Sequence, residues 1–333
     1  PSHCSHNSVA SPFDTVPQPP PLPAMAYLVR LAASLLLLAR ALDALRHSNV
    51  GTRLGVHIFR NVVIDLDLPP EQRWYDFYRS NREAIMAKVE KAILIHPDSA
   101  LYFTSYRNPA KLAELRKGTM DNLHLESHQD ILAEYRGIAR ALDDPRITPE
   151  AMLWLEVGYE RNTSWACTSL LASAADGEVF HGRNLDLKNG TLLLPYLVDV
   201  TYTRGGKPFA TSPTLLLTVG AHTIYKIGAW SMSLNVRDGV QNQTANTLAA
   251  KNGARPMGFF TRHLLEVAPD FKAAVQAAAW SYLVAPQYLT IAGPNAYEGV
   301  VVTRDREGRG APYSNVMALS PQIGRWFIVQ TND

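Results

Sequence analysis

The chain has 333 residues, of which 47% are hydrophobic and 19% charged. This balance is ordinary for a globular protein, and the length is sufficient to bury a substantial core. With 32 basic and 30 acidic residues the formal net charge is +2, and we find no basic stripe, so the sequence does not indicate a nucleic-acid partner. Two cysteines, Cys4 and Cys167, do not indicate a disulfide framework.

The N-terminal residues 1–44 differ from the rest of the chain. The segment P-Q-P-P-P-L-P at 17–23 predicts a disordered tail ahead of Met25. From there a positive charge at Arg30, a short apolar stretch at 31–39 and small residues follow one another in the order of a secretory signal peptide. The apolar stretch is too short to span a bilayer, which needs about 20 residues, and an amphipathic or core helix is the alternative. Possible N-glycosylation triplets begin at Asn162, Asn189 and Asn242.

The next region, 45–166, is predicted to be mostly helical. The alternating segment V-V-I-D-L-D-L at 62–68 predicts one strand, and Pro70 suits the first turn of a following helix. Further predicted helices cover 85–93, 110–143 and a segment from Pro149 that Thr148 caps.

After Cys167 the pattern changes to strands. In Arg204-Gly-Gly-Lys207 two glycines supply the positive φ that a tight hairpin needs. The order of helices, antiparallel strands, helices and strands predicts an α+β layered sandwich within one domain. Strands are predicted over 169–174, 179–183, 197–203, 215–219, 229–236, 288–292, 299–304 and 326–330, and a helix over 256–282.

Cys167 begins the first of these strands. A thiol is a poor nucleophile until a base removes its proton. The base can be a histidine or, where cysteine is the first residue of a chain, its own α-amine, whose pKa is about 8. The second solution requires a cut before Cys167, a group that orients the amine and the thiol, and donors for an oxyanion. Without further signals, a lone cysteine is more often a small core residue.

The segment C-T-S at 167–169, followed by H-G-R-N-L-D at 181–186, resembles the acid ceramidase and N-acylethanolamine acid amidase family of N-terminal-nucleophile hydrolases. The resemblance extends from about residue 60 to the last residue. The other segments that carry it are I-D-L-D-L-P-P-E-Q-R-W at 64–74, E-Y-R-G-I-A at 134–139, I-T-P-E at 147–150, Y-E at 159–160, E-G-V-V-V-T-R at 298–304 and W-F-I-V-Q-T-N-D at 326–333.

The resemblance implies an αββα sandwich with antiparallel sheets. It also implies self-cleavage between Ala166 and Cys167, which would leave a mostly helical α-chain over 45–166 and a catalytic β-chain over 167–333, associated as a heterodimer.

The resemblance further implies a role for each site residue. Cys167 would be the nucleophile, with its freed amine as general base. Arg183 and Asp186 would hold the amine and the thiol. Asn332 would donate to the oxyanion. Asn184, between the charged pair, is a minor candidate that we expect on the opposite face of the strand.

The implied activity is hydrolysis of the N-acyl bond of a fatty acyl amide at a membrane surface or micelle, in the lysosome or outside the cell, with no cofactor. Leu185 favours an N-acylethanolamine as substrate, whereas D-L-P-P-x-x-R-W at 67–74 favours a ceramide. One alternative is the same mechanism on a conjugated bile acid or a penicillin. Another is a lipid-binding protein that does not cleave itself.

The sequence departs from the family pattern at two points. Val236 stands where the family carries a glutamate that is linked to self-cleavage. The chain stops at Asp333, where the family continues, so we expect the C-terminal region to be incomplete.

Two histidine groups have the composition of metal sites, but we expect no bound metal. Cys4 with His3 and His6 lies in a tail that cannot hold ligand geometry. His124 and His128 are four residues apart without a third ligand, and we expect them on the polar surface of a helix.

Overall fold

The computed structural model describes residues 59–95, 107–118, 128–161, 166–186, 194–308 and 315–332. These residues belong to one unit, Val56–Asp333. The helices are α1 (Pro70–Arg73), α2 (Tyr75–Ser80), α3 (Arg82–Ile95), α4 (Pro109–Gly118), α5 (Gln129–Leu142), α6 (Pro149–Glu156), α7 (Gly158–Arg161), α8 (Gln243–Lys251), α9 (Met257–Val267) and α10 (Phe271–Trp280). The strands are β1 (Phe59–Asp65), β2 (Ala166–Ser173), β3 (Val179–Asp186), β4 (Leu197–Arg204), β5 (Lys207–Leu215), β6 (Thr223–Lys226), β7 (Trp230–Val236), β8 (Gln287–Ala292), β9 (Gly299–Arg304), β10 (Asn315–Ala318) and β11 (Phe327–Gln330).

The strands form two sheets. The large sheet has eight strands in the order β1-β4-β5-β6-β7-β8-β9-β10, and the small sheet has the order β11-β2-β3. All neighbouring strands run antiparallel except β1 and β4, which are parallel. The predicted α+β class with antiparallel sheets is therefore confirmed.

Each face of the large sheet packs on a different partner. On β7, Trp230, Met232 and Leu234 alternate into a core shared with the helices. The intervening Ser231, Ser233 and Asn235 face the small sheet, where they bond to side chains of β2 and β3. A second, smaller core joins the sheets further along and contains Leu171, Ala292, Val301, Leu319 and Ile328.

Local sequence signals explain several element ends. The Thr148 side chain accepts from the Ala151 N–H at 3.1 Å, so it caps α6 as predicted, with Pro149 at the first helical position. The β4–β5 hairpin turns at Gly205 and Gly206, which both have positive φ, as predicted from the glycine pair.

Other predicted elements differ from the observed ones. The predicted strand at 62–68 lies at Phe59–Asp65 and is followed by a turn. The predicted strand at 215–219 is wrong, because β5 ends at Leu215 and Leu217 has φ +67°. The helix predicted over 256–282 is two helices, since Asp270 caps a new one by accepting from the Ala273 N–H at 2.8 Å. Elements without a predicted range are β5, which only the predicted hairpin turn implied, and β6, β10 and α8.

The helix predicted over 110–143 is described only in part. Its ends correspond to α4 and α5. The residues between them, 119–127, lie outside the described part of the chain.

Candidate active site

Cys167 is the second residue of β2 and is only 2% exposed. Its backbone N–H donates a 2.5 Å hydrogen bond to Oδ1 of Asn332. β11 pairs with β2 as far as Gln330, which lies opposite Ser169, and two further residues carry the chain to Asn332. The register of the small sheet therefore brings together two predicted site residues that are 165 positions apart.

Asn332 is held on both sides of its amide. While Oδ1 accepts from Cys167, Nδ2 donates to the Val236 carbonyl at 2.7 Å. The Asn332 carbonyl also accepts from the Asp238 N–H at 3.1 Å. A primary amide nitrogen carries two hydrogens, and the bond to Val236 uses one of them.

Arg183 lies on β3 directly opposite Ser169 of β2. Opposed residues of neighbouring strands project to the same face, and the Arg183 side chain extends along that face toward the nucleophile strand. Its Nη2 lies 3.4 Å from Cys167 Sγ and 2.8 Å from the Leu234 carbonyl. The site thus brings a fixed guanidinium cation against the sulfur.

The other two candidates on β3 are placed by their backbones. Asp186 pairs with Ala166, the residue before Cys167, and its side chain lies outside the described part. Asn184 is exposed and pairs with Thr168, so it sits on the face opposite Arg183, where it was expected.

The sequence motifs do not predict a buried polar network that lies beside Cys167. Asn235 is fully buried, and its Nδ2 faces three backbone carbonyls: Cys167 at 3.2 Å, Gln330 at 2.8 Å and Thr331 at 3.3 Å. Its Oδ1 accepts from the Ser169 hydroxyl at 2.7 Å. The signal that could have revealed it is S-x-S-x-N at 231–235, which puts three polar side chains on one face of a strand.

The network continues to His181, which lies two residues before Arg183. Ser169 Oγ is 2.8 Å from Ser233 Oγ, and Ser233 Oγ is 2.8 Å from His181 Nε2. The other ring nitrogen, Nδ1, is 2.7 Å from Ser231 Oγ. Burial, together with the charge of Arg183, lowers the pKa of His181 to about 4. The imidazole is therefore uncharged at neutral pH.

A cavity of about 820 Å³ lies beside His181 and Arg183, between β3 and the face of β5, β6 and β7. Thr211, Thr223 and Ser231 contribute hydroxyl-bearing positions to its wall. Arg183 both lines this cavity and contacts Cys167 Sγ, whereas Cys167 itself is not part of the cavity wall.

The predicted metal groups fall largely outside the described residues. His3, Cys4, His6 and His124 are not described. His128 is 3% exposed and its ring packs edge-on against Phe259, with centroids 5.3 Å apart, so the expectation of a surface position is wrong for this residue. Within the described ranges, no group of three or more His, Cys, Asp or Glu side chains has the arrangement of a metal site. In the same ranges no helix combines the length and apolar character needed to cross a bilayer.

No protein-family model matches the chain. The N-acylethanolamine-hydrolyzing acid amidase of Oryctolagus cuniculus is 31% identical over 273 residues, covering 81% of this chain and 70% of that protein. The Caenorhabditis elegans protein of the same name is 29% identical, covering 82% and 74%, and acid ceramidase of Mus musculus is 28% identical, covering 81% and 68%.

A solved structure, the Caenorhabditis elegans N-acylethanolamine-hydrolyzing acid amidase ortholog, covers 50% of this chain and 70% of its own at 33% identity, with a TM-score of 0.46. The sequence similarities cover more than two thirds of each relative named above. The chain belongs to the family of acid ceramidase and N-acylethanolamine-hydrolyzing acid amidase.

Proposed function

We propose that the protein is an amidase that hydrolyses the N-acyl bond of a fatty acyl amide through a thioester at Cys167. The observation that carries the proposal is the set of contacts around one buried cysteine. Arg183 Nη2 lies 3.4 Å from its sulfur and Asn332 binds its backbone nitrogen, in a chain whose relatives are named for hydrolysis of N-acylethanolamines and for ceramidase activity. A cation beside the sulfur favours the thiolate, which is the nucleophilic form.

Maturation would use the same thiol. Cys167 Sγ attacks the carbonyl carbon of Ala166, the C–N bond breaks, and the nitrogen of Cys167 takes the thiol proton. Water then hydrolyses the thioester, which frees the Ala166 carboxyl and restores the thiol. The pairing of Asp186 with Ala166 supports a role for this aspartate at the new N-terminus, because its backbone lies directly across from the bond that is cut.

Substrate hydrolysis would follow the same course. The freed α-amine accepts the thiol proton. Cys167 Sγ bonds to the acyl carbon while the second amide hydrogen of Asn332 stabilises the oxyanion. The C–N bond then breaks as the leaving nitrogen takes the proton, and water releases the fatty acid from the thioester. Residues of this chain account for each proton, so the scheme needs no cofactor.

The two fragments would remain together as a heterodimer. Several contacts that support this join residues on opposite sides of the cut: β1 pairs with β4, Tyr78 Oη accepts from the Leu217 N–H at 2.8 Å, and Arg262 bonds to Glu134 at 2.9 Å. We also propose that the protein works in the secretory pathway, in the lysosome or outside the cell, on lipid presented by a membrane or a micelle.

The experiment compares the full chain with Cys167→Ala and with Cys4→Ala as the matched control for loss of a cysteine. Intact mass is measured after incubation at acidic and at neutral pH. Release of fatty acid is then measured with an N-acylethanolamine and with a ceramide that has the same acyl chain. Release of the unconjugated bile acid is measured with a conjugated bile acid as substrate. We expect a cut before Cys167 and hydrolysis of a fatty acyl amide in the parent and in Cys4→Ala, and neither in Cys167→Ala.

Three other results would change or contradict the proposal. A chain that cuts itself but hydrolyses only the bile-acid conjugate would keep the mechanism and change the substrate. An uncut, inactive chain that still binds fatty acyl lipid would contradict the proposal and favour a binding protein. Fatty acid release by Cys167→Ala would also contradict it.

A further inference from the structure

A continuous path of hydrogen bonds crosses the space between the sheets. It runs from His181 on β3 to Ser233 on β7, to Ser169 on β2, and to Asn235 on β7. Each step is 2.7 or 2.8 Å long between the bonded atoms. The path ends on the carbonyl of Cys167 itself and on those of Gln330 and Thr331, the two residues before Asn332.

The backbone carbonyls at the Asn235 end of the path determine which group donates in every hydrogen bond along it. A carbonyl oxygen can only accept, so the side of the Asn235 amide that faces three carbonyls must be nitrogen. Its Oδ1 therefore faces Ser169 and can only accept from the Ser169 hydroxyl. With its hydrogen committed to Asn235, Ser169 Oγ must accept from Ser233.

The same logic fixes the tautomer of His181. Ser233 donates its only hydrogen to Ser169, so toward His181 it can only accept. Nε2 of His181 must then carry a hydrogen. In the neutral ring Nδ1 is an acceptor, and Ser231 donates to it. The sequence of donors thus runs one way, from the imidazole to the backbone at Cys167.

We infer that His181 is a positioning residue, which acts through Ser233, Ser169 and Asn235 to fix the backbone of Cys167 against that of Asn332. The inference rests on the proposed function, because it is a statement about how these two residues are aligned for the reaction. Asn235 ties the nucleophile strand β2 to the segment that carries Asn332, and it can do so only while its amide keeps this orientation.

Two serines on β7 provide a matched pair of variants. Both bond to the same imidazole, at 2.7 and 2.8 Å, but only Ser233 continues the path to Cys167. Loss of one hydrogen bond of this kind lowers a rate by about 3- to 10-fold. We expect Ser233→Ala to lower kcat by that factor with little change in KM. Because Ser231 also lines the cavity, Ser231→Ala is compared by kcat alone, and its loss of kcat should be smaller than that of Ser233→Ala.

Substitution of the histidine itself tests the direction of the path. Like the neutral imidazole, glutamine has a nitrogen that can donate to Ser233 and an acceptor atom for Ser231. His181→Gln should therefore retain most of kcat, whereas His181→Leu should behave like Ser233→Ala. Because both act on one path, the double variant His181→Leu/Ser233→Ala should be no slower than the slower single variant. Thermal unfolding of all variants separates a loss of folding from a loss of alignment.

A measurement that does not depend on activity completes the test. In imidazole-¹⁵N-labelled protein with Cys167→Ala, NMR at neutral pH should show His181 with a protonated Nε2 and an unprotonated Nδ1. The opposite tautomer would overturn the inference whatever the enzyme hydrolyses. Equal loss of kcat in Ser231→Ala and Ser233→Ala, or additive losses in the double variant, would also overturn it. Failure of the parent protein to hydrolyse any acyl amide would instead contradict the proposed function, and would remove the alignment role with it.

Discussion

Glu134→Gln is expected to weaken the protein strongly, because this carboxylate is fully buried between positively charged groups. It accepts from Arg73 and Arg262, each at 2.9 Å, and from the indole N–H of Trp74 at 2.6 Å. The side chains of Glu134 and Arg262 are 0% and 6% exposed. Glutamine removes the negative charge and leaves the buried guanidinium of Arg262 with neutral hydrogen-bond acceptors only, such as the Val219 carbonyl at 2.6 Å.

The magnitude follows from burial. Removing one partner of a buried ion pair costs about 3–5 kcal/mol, because the remaining charge stays out of water. Glu71 is the matched control, since it also binds two arginines, Arg136 at 3.2 Å and Arg140 at 2.8 Å, but its side chain is 38% exposed. Exposed pairs of this kind contribute little because water and salt screen them, so Glu71→Gln should have a small effect.

Urea unfolding followed by tryptophan fluorescence provides the assay, with Cys167→Ala in every protein so that the chain stays intact. Equal free energies of unfolding for Glu134→Gln and Glu71→Gln would refute the reasoning. Arg262 lies beyond the proposed cut and Glu134 before it, so the same change should also weaken association of the cleaved fragments. A loss of 3–5 kcal/mol corresponds to about two to four orders of magnitude in the dissociation constant, which size-exclusion chromatography at decreasing concentration would detect.

Two further predictions concern stability. Burial raises the pKa of Glu156 above its ordinary value of 4.5, so the folded state binds this proton more tightly than the unfolded chain. The stability that this proton provides is lost as pH rises from about 4.5 through the folded-state pKa. Glu156→Gln should remove this part of the fall in the urea midpoint with pH, and an unchanged pH profile in the variant would contradict the assignment. In α5, a side chain at Gly137 would collide with the backbone carbonyl of Glu71, so Gly137→Ala should lower the free energy of unfolding by about 1–3 kcal/mol. Gly239→Ala is the control, because no atom lies near the position that its side chain would take. Similar thermal unfolding midpoints for the two variants would refute this prediction.

The sequence predicted elements whose signals are local. The Thr148 cap and the Gly205–Gly206 turn need only their immediate neighbours, and both were predicted correctly. The apolar segment at 215–219 was predicted as a strand and is not one. Its backbone bonds to distant side chains instead: the Leu217 N–H donates to Tyr78, and the Val219 N–H donates to Glu156. No pattern within the segment indicates partners that lie more than 60 residues away.

The same distinction applies to the site. C-T-S and H-G-R-N-L-D are short, and they predict Cys167 and Arg183 as site residues, which lie in contact. The network around Asn235 was missed because its members lie on three strands, and the bonds that define it span from 50 to 96 residues. Only the pairing of β2 with β3 and the stacking of β7 on both bring His181, Ser169 and Asn235 together.

The position of the proposed cut explains how the hydrogen bonds around Cys167 could remain intact after cleavage. The members of the polar network around Cys167 all follow the cut in sequence: Ser169, His181, Arg183, Ser233, Asn235 and Asn332. Contacts with the preceding segment lie elsewhere in the fold and include the β1–β4 pairing and the buried charge of Glu134. Breaking the peptide bond before Cys167 therefore removes no bond of the polar network. The uncut chain already holds Arg183 and Asn332 against Cys167, so self-cleavage and substrate hydrolysis can use one arrangement of groups.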